Sequence, residues 1–135
     1  MRRPLKVWGV VVRMNNTESL VVLVTCSGLS NTGKCTTRAA MMLRQRNPEL
    51  VDYHIAASGE KAMAMPEGLD ADSLRVIVID GCEDFCGRKK AEQCGLVPAC
   101  HVVATACGVV KSGMDEPVFR DIEVICRAAE TELRR

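Results

Sequence analysis

Residues 20–35 read LVVLVTCSGLSNTGKC, and the fold turns on how that run divides. Leu20 to Thr25 is a continuous apolar run without the alternation of a half-exposed strand. A strand buried on both faces reads this way, and such strands sit in parallel sheets covered by helices. A loop holding Gly28 and Gly33 follows. Thr32 to Arg46 then gathers Ala39, Ala40, Leu43 and the Met41–Met42 pair on an apolar face, with Pro48 close behind, which predicts a helix. Strand, loop and helix in that order open a βαβ unit.

Working outward, Lys6–Arg13 (KVWGVVVR) predicts a strand and Met14–Ser19 a turn. Because that connection is short, the first strand is expected to pair antiparallel with Leu20–Thr25, at or near a sheet edge. Downstream, Leu50–Ile55 predicts a short strand and Ser58–Met65 a short helix, capped by Ser58 and stopped by Pro66. Leu74–Asp80 (LRVIVID) is a second buried strand, and Asp84–Gln93 a helix with Gly95 as its C-cap. His101–Ala106 predicts a third strand and Pro117–Leu133 a last helix. The fold class that follows is α/β: a three-layer sandwich with a mostly parallel sheet and an antiparallel N-terminal strand. One domain is expected over 1–135, made of an N-terminal strand and turn (1–19), a core (20–111) and a C-terminal helix (112–135).

The chain of 135 residues is 47% hydrophobic and 26% charged, with a formal net charge of +1. Without a basic field, non-specific binding to nucleic acid or a membrane surface is not expected. No apolar run approaches the ~18 residues that cross a bilayer. Val7–Val12 is too short for a signal-peptide core, so a cytoplasmic protein is expected. Eight cysteines are then the informative feature. In a reducing compartment they point to metal binding or thiol chemistry, although some are only small buried hydrophobes.

Sites in open parallel sheets gather outside the C-terminal ends of the strands. Cys26, Cys82 and Cys107 each follow a predicted strand, and His54 lies near the end of another. Cys82 and Cys86, spaced i, i+4 in DGCEDFC (80–86), share one face of a helix or converge in a loop-to-helix turn. Their spacing falls in the range of paired zinc ligands. At a helix N-terminus Cys82 would also be favoured as a thiolate. Arg88, Lys89 and Lys90 follow and can offset thiolate charge. Cys94, roughly 12 Å along the helix from Cys86, is too far away to share its ion. Cys100 and Cys126 read as packing, while Cys35 stays open beside Cys26.

Gly28 to Lys34 also has the G-x-x-x-x-G-K spacing of a phosphate-binding loop, and VIVID (76–80) has the look of its partner strand. Cys35 stands where a magnesium-binding hydroxyl belongs, and a thiolate suits that hard ion poorly. Ser27, Gly28, Ser30 and Gly33 form either a small-anion pocket or a set of donors to thiolate sulfurs. Lys34 and Lys111 read first as solvated lysines, with a place near this rim as the alternative.

CSGLSNTGK, IVIDGCEDFCGRKKAEQCG and HVVATACGVVK, in that order, resemble the DGC-domain family, named for its Asp-Gly-Cys motif. The similarity spans roughly 20–111, with Asp80-Gly81-Cys82 and Cys86 as its most specific part. That family is described through four chelating cysteine positions, and its function is not established. The resemblance implies metal binding by Cys26, Cys82 and Cys86. At the fourth position this chain has His54, so a Cys3His site is one outcome; Cys107, Cys35, water or no fourth ligand is another. Zinc is the expected metal, with iron or none as alternatives. A second reading is a thiol, sulfur-relay or redox protein using Cys82 with Cys86 or Cys26. A third is a small P-loop nucleotide-binding protein. The expected partners are a metal ion and a small anion or thiol compound. No acid–base pair identifies a reaction.

Overall fold

The computed structural model describes residues 5–7, 10–12, 20–57, 65, 68 and 70–135. Six strands and three α-helices lie among them: β1 Leu5–Val7, β2 Val10–Val12, β3 Leu20–Thr25, α1 Asn31–Arg46, β4 Tyr53–Ala56, β5 Leu74–Asp80, α2 Cys86–Gln93, β6 Pro98–Val103 and α3 Phe119–Leu133. The turn expected at Met14–Ser19 and, but for Met65, the helix expected at Ser58–Met65 lie outside the described residues.

The main sheet has the order β4-β3-β5-β6, and every pairing in it is parallel. The expected antiparallel N-terminal strand is therefore corrected. Instead β1 pairs antiparallel with β2 in a separate two-stranded sheet, with Val7 opposite Val10. The reason lies in β3. Both of its backbone edges are taken, by β4 on one side and β5 on the other, so no antiparallel partner can join it. A strand that is apolar on both faces belongs in the middle of a sheet.

Alternate residues of β3 and β5 feed two layers. Val21, Leu23, Ile77 and Ile79 pack against α1 and α3 through Ala39, Ala40, Leu43, Ile122, Ile125 and Ala129. Val22, Val24, Val76 and Val78 pack on the other face with Ala91 of α2 and Leu96. The result is the three-layer α/β sandwich. Chain connections that leave neighbouring strands β3 and β5 in opposite directions place α1 and α2 on opposite faces, as right-handed crossovers require. Between the ends of those two strands the sheet has its switch point, where ligand sites of such folds form. Among the described residues no helix is long and apolar enough to cross a membrane.

Element ends shift in ways that matter. Strand β6 starts at Pro98, so Cys100 lies within it, and Thr105–Cys107 forms a short 3-10 turn in place of a strand end. Helix α2 starts at Cys86, not Asp84, because Phe85 takes a left-handed conformation (φ 52°) that no α-helix continues through. Gly95 closes that helix at φ 79°, as expected.

Cys35 is fully buried between α1 and the sheet, and burial, with Asp121 adding to it, pushes its thiol from 9.0 up to about 11. An unfolded chain releases that proton near pH 9, whereas the folded one holds it to about pH 11. The stability that the neutral thiol contributes is therefore complete below the lower value and lost as pH rises through the upper one. Urea midpoints are expected to fall between about pH 9 and about pH 11, and to fall less in Cys35→Ala. An equal fall in both proteins would contradict this.

Candidate functional site

At the switch point a cavity of about 500 Å³ is lined by Cys26, Cys82 and Cys86 together with Gly28, Leu29, Gly33, Ala57, Gly81, Asp84, Lys89, Lys90 and Lys111. Each cysteine arrives by its own route. Cys26 is the first residue after β3, and its N–H still donates to Ile79 O of β5 at 3.2 Å. Ser27 then turns left-handed (φ 50°), which sends its side chain to the other side of the loop. Cys82 lies in the turn between β5 and α2, half-buried. Cys86 is the first residue of α2, and exposed. It is Cys86, not Cys82, that sits at the helix N-terminus, because Phe85 delays the helix.

Polar neighbours surround the sulfurs. Gly81 N donates to Cys26 Sγ at 3.3 Å, and Thr36 Oγ1 lies 3.7 Å from the same sulfur. Cys82 Sγ lies 3.6 Å from Asp84 Oδ2 and 3.8 Å from Lys111 Nζ. The Cys86 thiol is pushed up, by desolvation first and then by the negative charge of Cys26, Asp80, Asp84 and Cys82. Two other cysteines are thus close enough to repel its ionised form.

Asp80 and Asn31, neither among the site residues expected from the sequence, hold this rim together. Asp80 is buried at the end of β5, on the α2 face, where Oδ1 accepts from Gly87 N at 2.7 Å and Oδ2 from Arg88 N at 3.2 Å. These are free N–H groups of the first turn of α2, which has no side-chain cap of its own. His101 of β6 donates from Nε2 to Oδ2 at 2.7 Å, and the Phe85 ring meets the His101 ring edge-on at 4.8 Å. The signal was present: a lone carboxylate ending an apolar strand must find donors once buried. On the far side, Asn31 fixes the segment after β6. It donates to Val110 O at 2.8 Å, accepts from Ser112 N at 2.7 Å, and donates from its backbone to Gly113 O at 2.8 Å. Lys111, between those anchors, is held at the cavity.

The other sequence candidates go elsewhere. His54 lies in register with Leu23, on the α1 face, with Nε2 2.9 Å from Thr25 Oγ1, and it borders a hollow with Met41, Arg44, Gln45 and Pro48. Burial, then the Arg44 charge, lowers its pKa. The structure does not bring it to the cysteines. Cys35 is buried in the core, and Cys107 packs against the α1–α3 layer, its thiol raised by burial. Among the described residues no three His, Cys, Asp or Glu side chains stand grouped as they would around a metal ion.

The glycine-rich loop is bonded mostly within itself. Ser27 N donates to Thr36 Oγ1, Gly33 N to the N-cap Ser30 Oγ, and Lys34 N to Ser30 O. Lys34 Nζ leaves the loop for Met114 O (2.8 Å) and Glu116 (3.1 Å). Asp80 is committed to α2. A phosphate cradle with a free lysine and a magnesium-binding Asp is not what these bonds build. Of the four loop residues singled out in the sequence, Gly28, Ser30 and Gly33 line the cysteine cavity, while Ser27 lines a separate hollow with Lys34 and Glu116.

Fold and rim together define a doubly wound α/β protein with a cysteine-lined cavity at its switch point. The family model described as DGC domain matches residues 22–129, which is most of the chain, and the chain belongs to the DGC-domain family. No curated protein and no solved structure matches it.

Three substitutions test how the rim is built. Asp80→Asn keeps the volume but aims an N–H2 group at the donors that a carboxylate satisfied. A loss of about 1–3 kcal/mol in urea unfolding is expected, and an unchanged midpoint would contradict the role given to Asp80. A Cβ on Gly33 would lie 2.7 Å from the Gly28 backbone, whereas one on Gly28 meets nothing nearer than 4.0 Å. Gly33→Ala is therefore expected to destabilise by about 1–3 kcal/mol, and Gly28→Ala by far less.

Proposed function

We propose that this is a zinc-binding protein whose metal is held by the thiolates of Cys26, Cys82 and Cys86. The observation that carries the reading is the arrival of these three cysteines, from two loops and a helix, at one cavity. Their donor chemistry fits a soft divalent ion. Their mutual repulsion, felt at Cys86, is what such an ion relieves. The side chains as they stand do not enclose an ion. Cys82 and Cys86 lie toward solvent, so rotation between staggered χ1 wells is the motion that binding requires. Gly81 N–H donates to the Cys26 sulfur, as neighbouring donors commonly do for metal-bound sulfur. When bound, zinc supplies Lewis acidity and charge; the chain's own residues position the sulfurs and keep cations beside them. His54 is not part of this ligand set.

A second reading is thiol chemistry, favoured by the Lys111 ammonium 3.8 Å from Cys82 Sγ. Cys82 would be the nucleophile, with Cys86 or Cys26 as its partner.

Metal analysis of reduced protein, purified without added metal, separates the two. Near one zinc per chain is expected, lost in Cys26→Ala, Cys82→Ala and Cys86→Ala and kept in His54→Ala. Less than about 0.2 metal per chain in the parent would contradict the metal reading. Selective rapid alkylation of Cys82 in that metal-free protein would favour thiol chemistry, and uniformly slow labelling would not.

A further inference from the structure

We infer that Ser27, Thr25 and His54 form a hydroxyl relay on the α1 side of the sheet, and that Ser27 attacks small carboxylic esters there. The inference is independent of the metal reading, because no cysteine takes part in it. A chain of four side chains is the first argument. Thr37 Oγ1 donates to Ser27 Oγ at 2.8 Å, Ser27 Oγ lies 2.6 Å from Thr25 Oγ1, and Thr25 Oγ1 lies 2.9 Å from His54 Nε2. A neutral imidazole with its proton on Nδ1 offers Nε2 as an acceptor. Thr25 then donates to that nitrogen and accepts from Ser27, so every proton in the chain points toward the ring. Burial, then the Arg44 charge, favours the neutral ring. Thr25 is fully buried, which keeps water from competing for its hydroxyl.

Backbone and access are the second argument. Ser27 holds a left-handed φ of 50°, which residues other than glycine rarely adopt. Strain of this kind gathers where a side chain must be presented in one place. Ser27, half-buried, borders a hollow of about 360 Å³ with Gly28, Lys34, Thr37, Arg38 and Met41, a volume within the range of small-molecule sites. His54 borders a second hollow, of about 400 Å³, that shares Met41 as a wall. The nucleophile and the base therefore open on separate sides of one side chain. The exposed Met41 gives the first hollow an apolar wall for a short acyl group. Lys34 and Arg38 are both paired with Glu116, which favours an uncharged ester over an anionic one.

The chemistry follows the hydrogen bonds. Ser27 Oγ bonds to the ester carbonyl carbon as its proton passes to Thr25 Oγ1 and the Thr25 proton passes to His54 Nε2. The bond from carbonyl carbon to leaving oxygen breaks, and the leaving alcohol takes a proton back from the imidazolium through the same relay. Water then attacks the acyl-serine, the carboxylic acid leaves, and Ser27 regains its proton. Ser27 is the group that touches substrate; Thr25 and His54 position its proton and withdraw it.

The test uses the full reduced chain and an alkyl fluorophosphonate, which bonds to activated serine hydroxyls with loss of fluoride. Peptide mass spectrometry locates the label and follows its rate. Label is expected on Ser27, absent in Ser27→Gly, which keeps the left-handed turn, and unchanged in Cys82→Ala and Cys86→Ala. His54→Gln still offers Thr25 an acceptor but takes no proton, so labelling is expected to slow about a hundredfold, the usual worth of a general base. Thr25→Val should slow it similarly, and Thr25→Ser should restore it, which a purely structural role for Thr25 would not require. Turnover of p-nitrophenyl acetate should be lost in Ser27→Gly and kept in Cys82→Ala. No label on Ser27 in the parent overturns the inference. Equal labelling rates in the parent and in folded His54→Gln overturn the relay. Label on Ser27 without ester turnover that depends on Ser27 overturns the hydrolytic step.

Discussion

The reversal of winding direction between the parallel strands β3 and β5 is the constraint on which the rest depends. The two strands lie side by side at the centre of the sheet, apolar on both faces, yet the chain leaves them toward opposite layers. Where α1 and α2 part company, the strand ends stand uncovered by any crossover. Cys26 follows one of these ends and Gly81-Cys82 the other. The cysteines meet because the sheet leaves a crevice there, and no long-range pairing of side chains is needed to assemble them.

The Asp-Gly-Cys motif can be read letter by letter against this constraint. Asp80 turns inward, and its carboxylate replaces the cap that α2 lacks, with His101 as a third donor. Gly81 passes so near α1 that a Cβ would lie 2.8 Å from the backbone of Thr32, and its N–H reaches Cys26. Cys82 is the letter that brings a reactive side chain to the cavity. Two of the three letters are therefore architectural, and they place the third. Gly87 belongs to the same device: a Cβ there would lie 2.8 Å from Asp80 Oδ1.

Most of the fold was legible because β3 and β5 announce burial on both faces, and α1 and α3 carry clear apolar stripes. The antiparallel first strand was misread because a short connection suggests pairing, while the sequence does not reveal that both edges of β3 are already occupied. Cys26 and Cys82 were placed on one rim by strand ends, and Cys86 by its i, i+4 spacing from Cys82; Cys107, placed there by the same strand-end rule, packs against the α1–α3 layer instead. His54 was placed there by the same rule, but a rule about strand ends says nothing about which face a side chain takes. Its register beside Leu23 puts it on the α1 side, against Thr25. The bond between His101 and Asp80 was hidden for a different reason: it joins neighbouring strands, and only their register shows it.

The central claim is that sulfur from three cysteines binds one metal ion at the switch point. X-ray absorption at the zinc edge measures this most directly, because it counts and ranges the atoms around the ion. A shell of about three sulfurs at about 2.3 Å in the parent protein, reduced by one in Cys86→Ala, is the result this account predicts. A first shell of nitrogen and oxygen alone would contradict it.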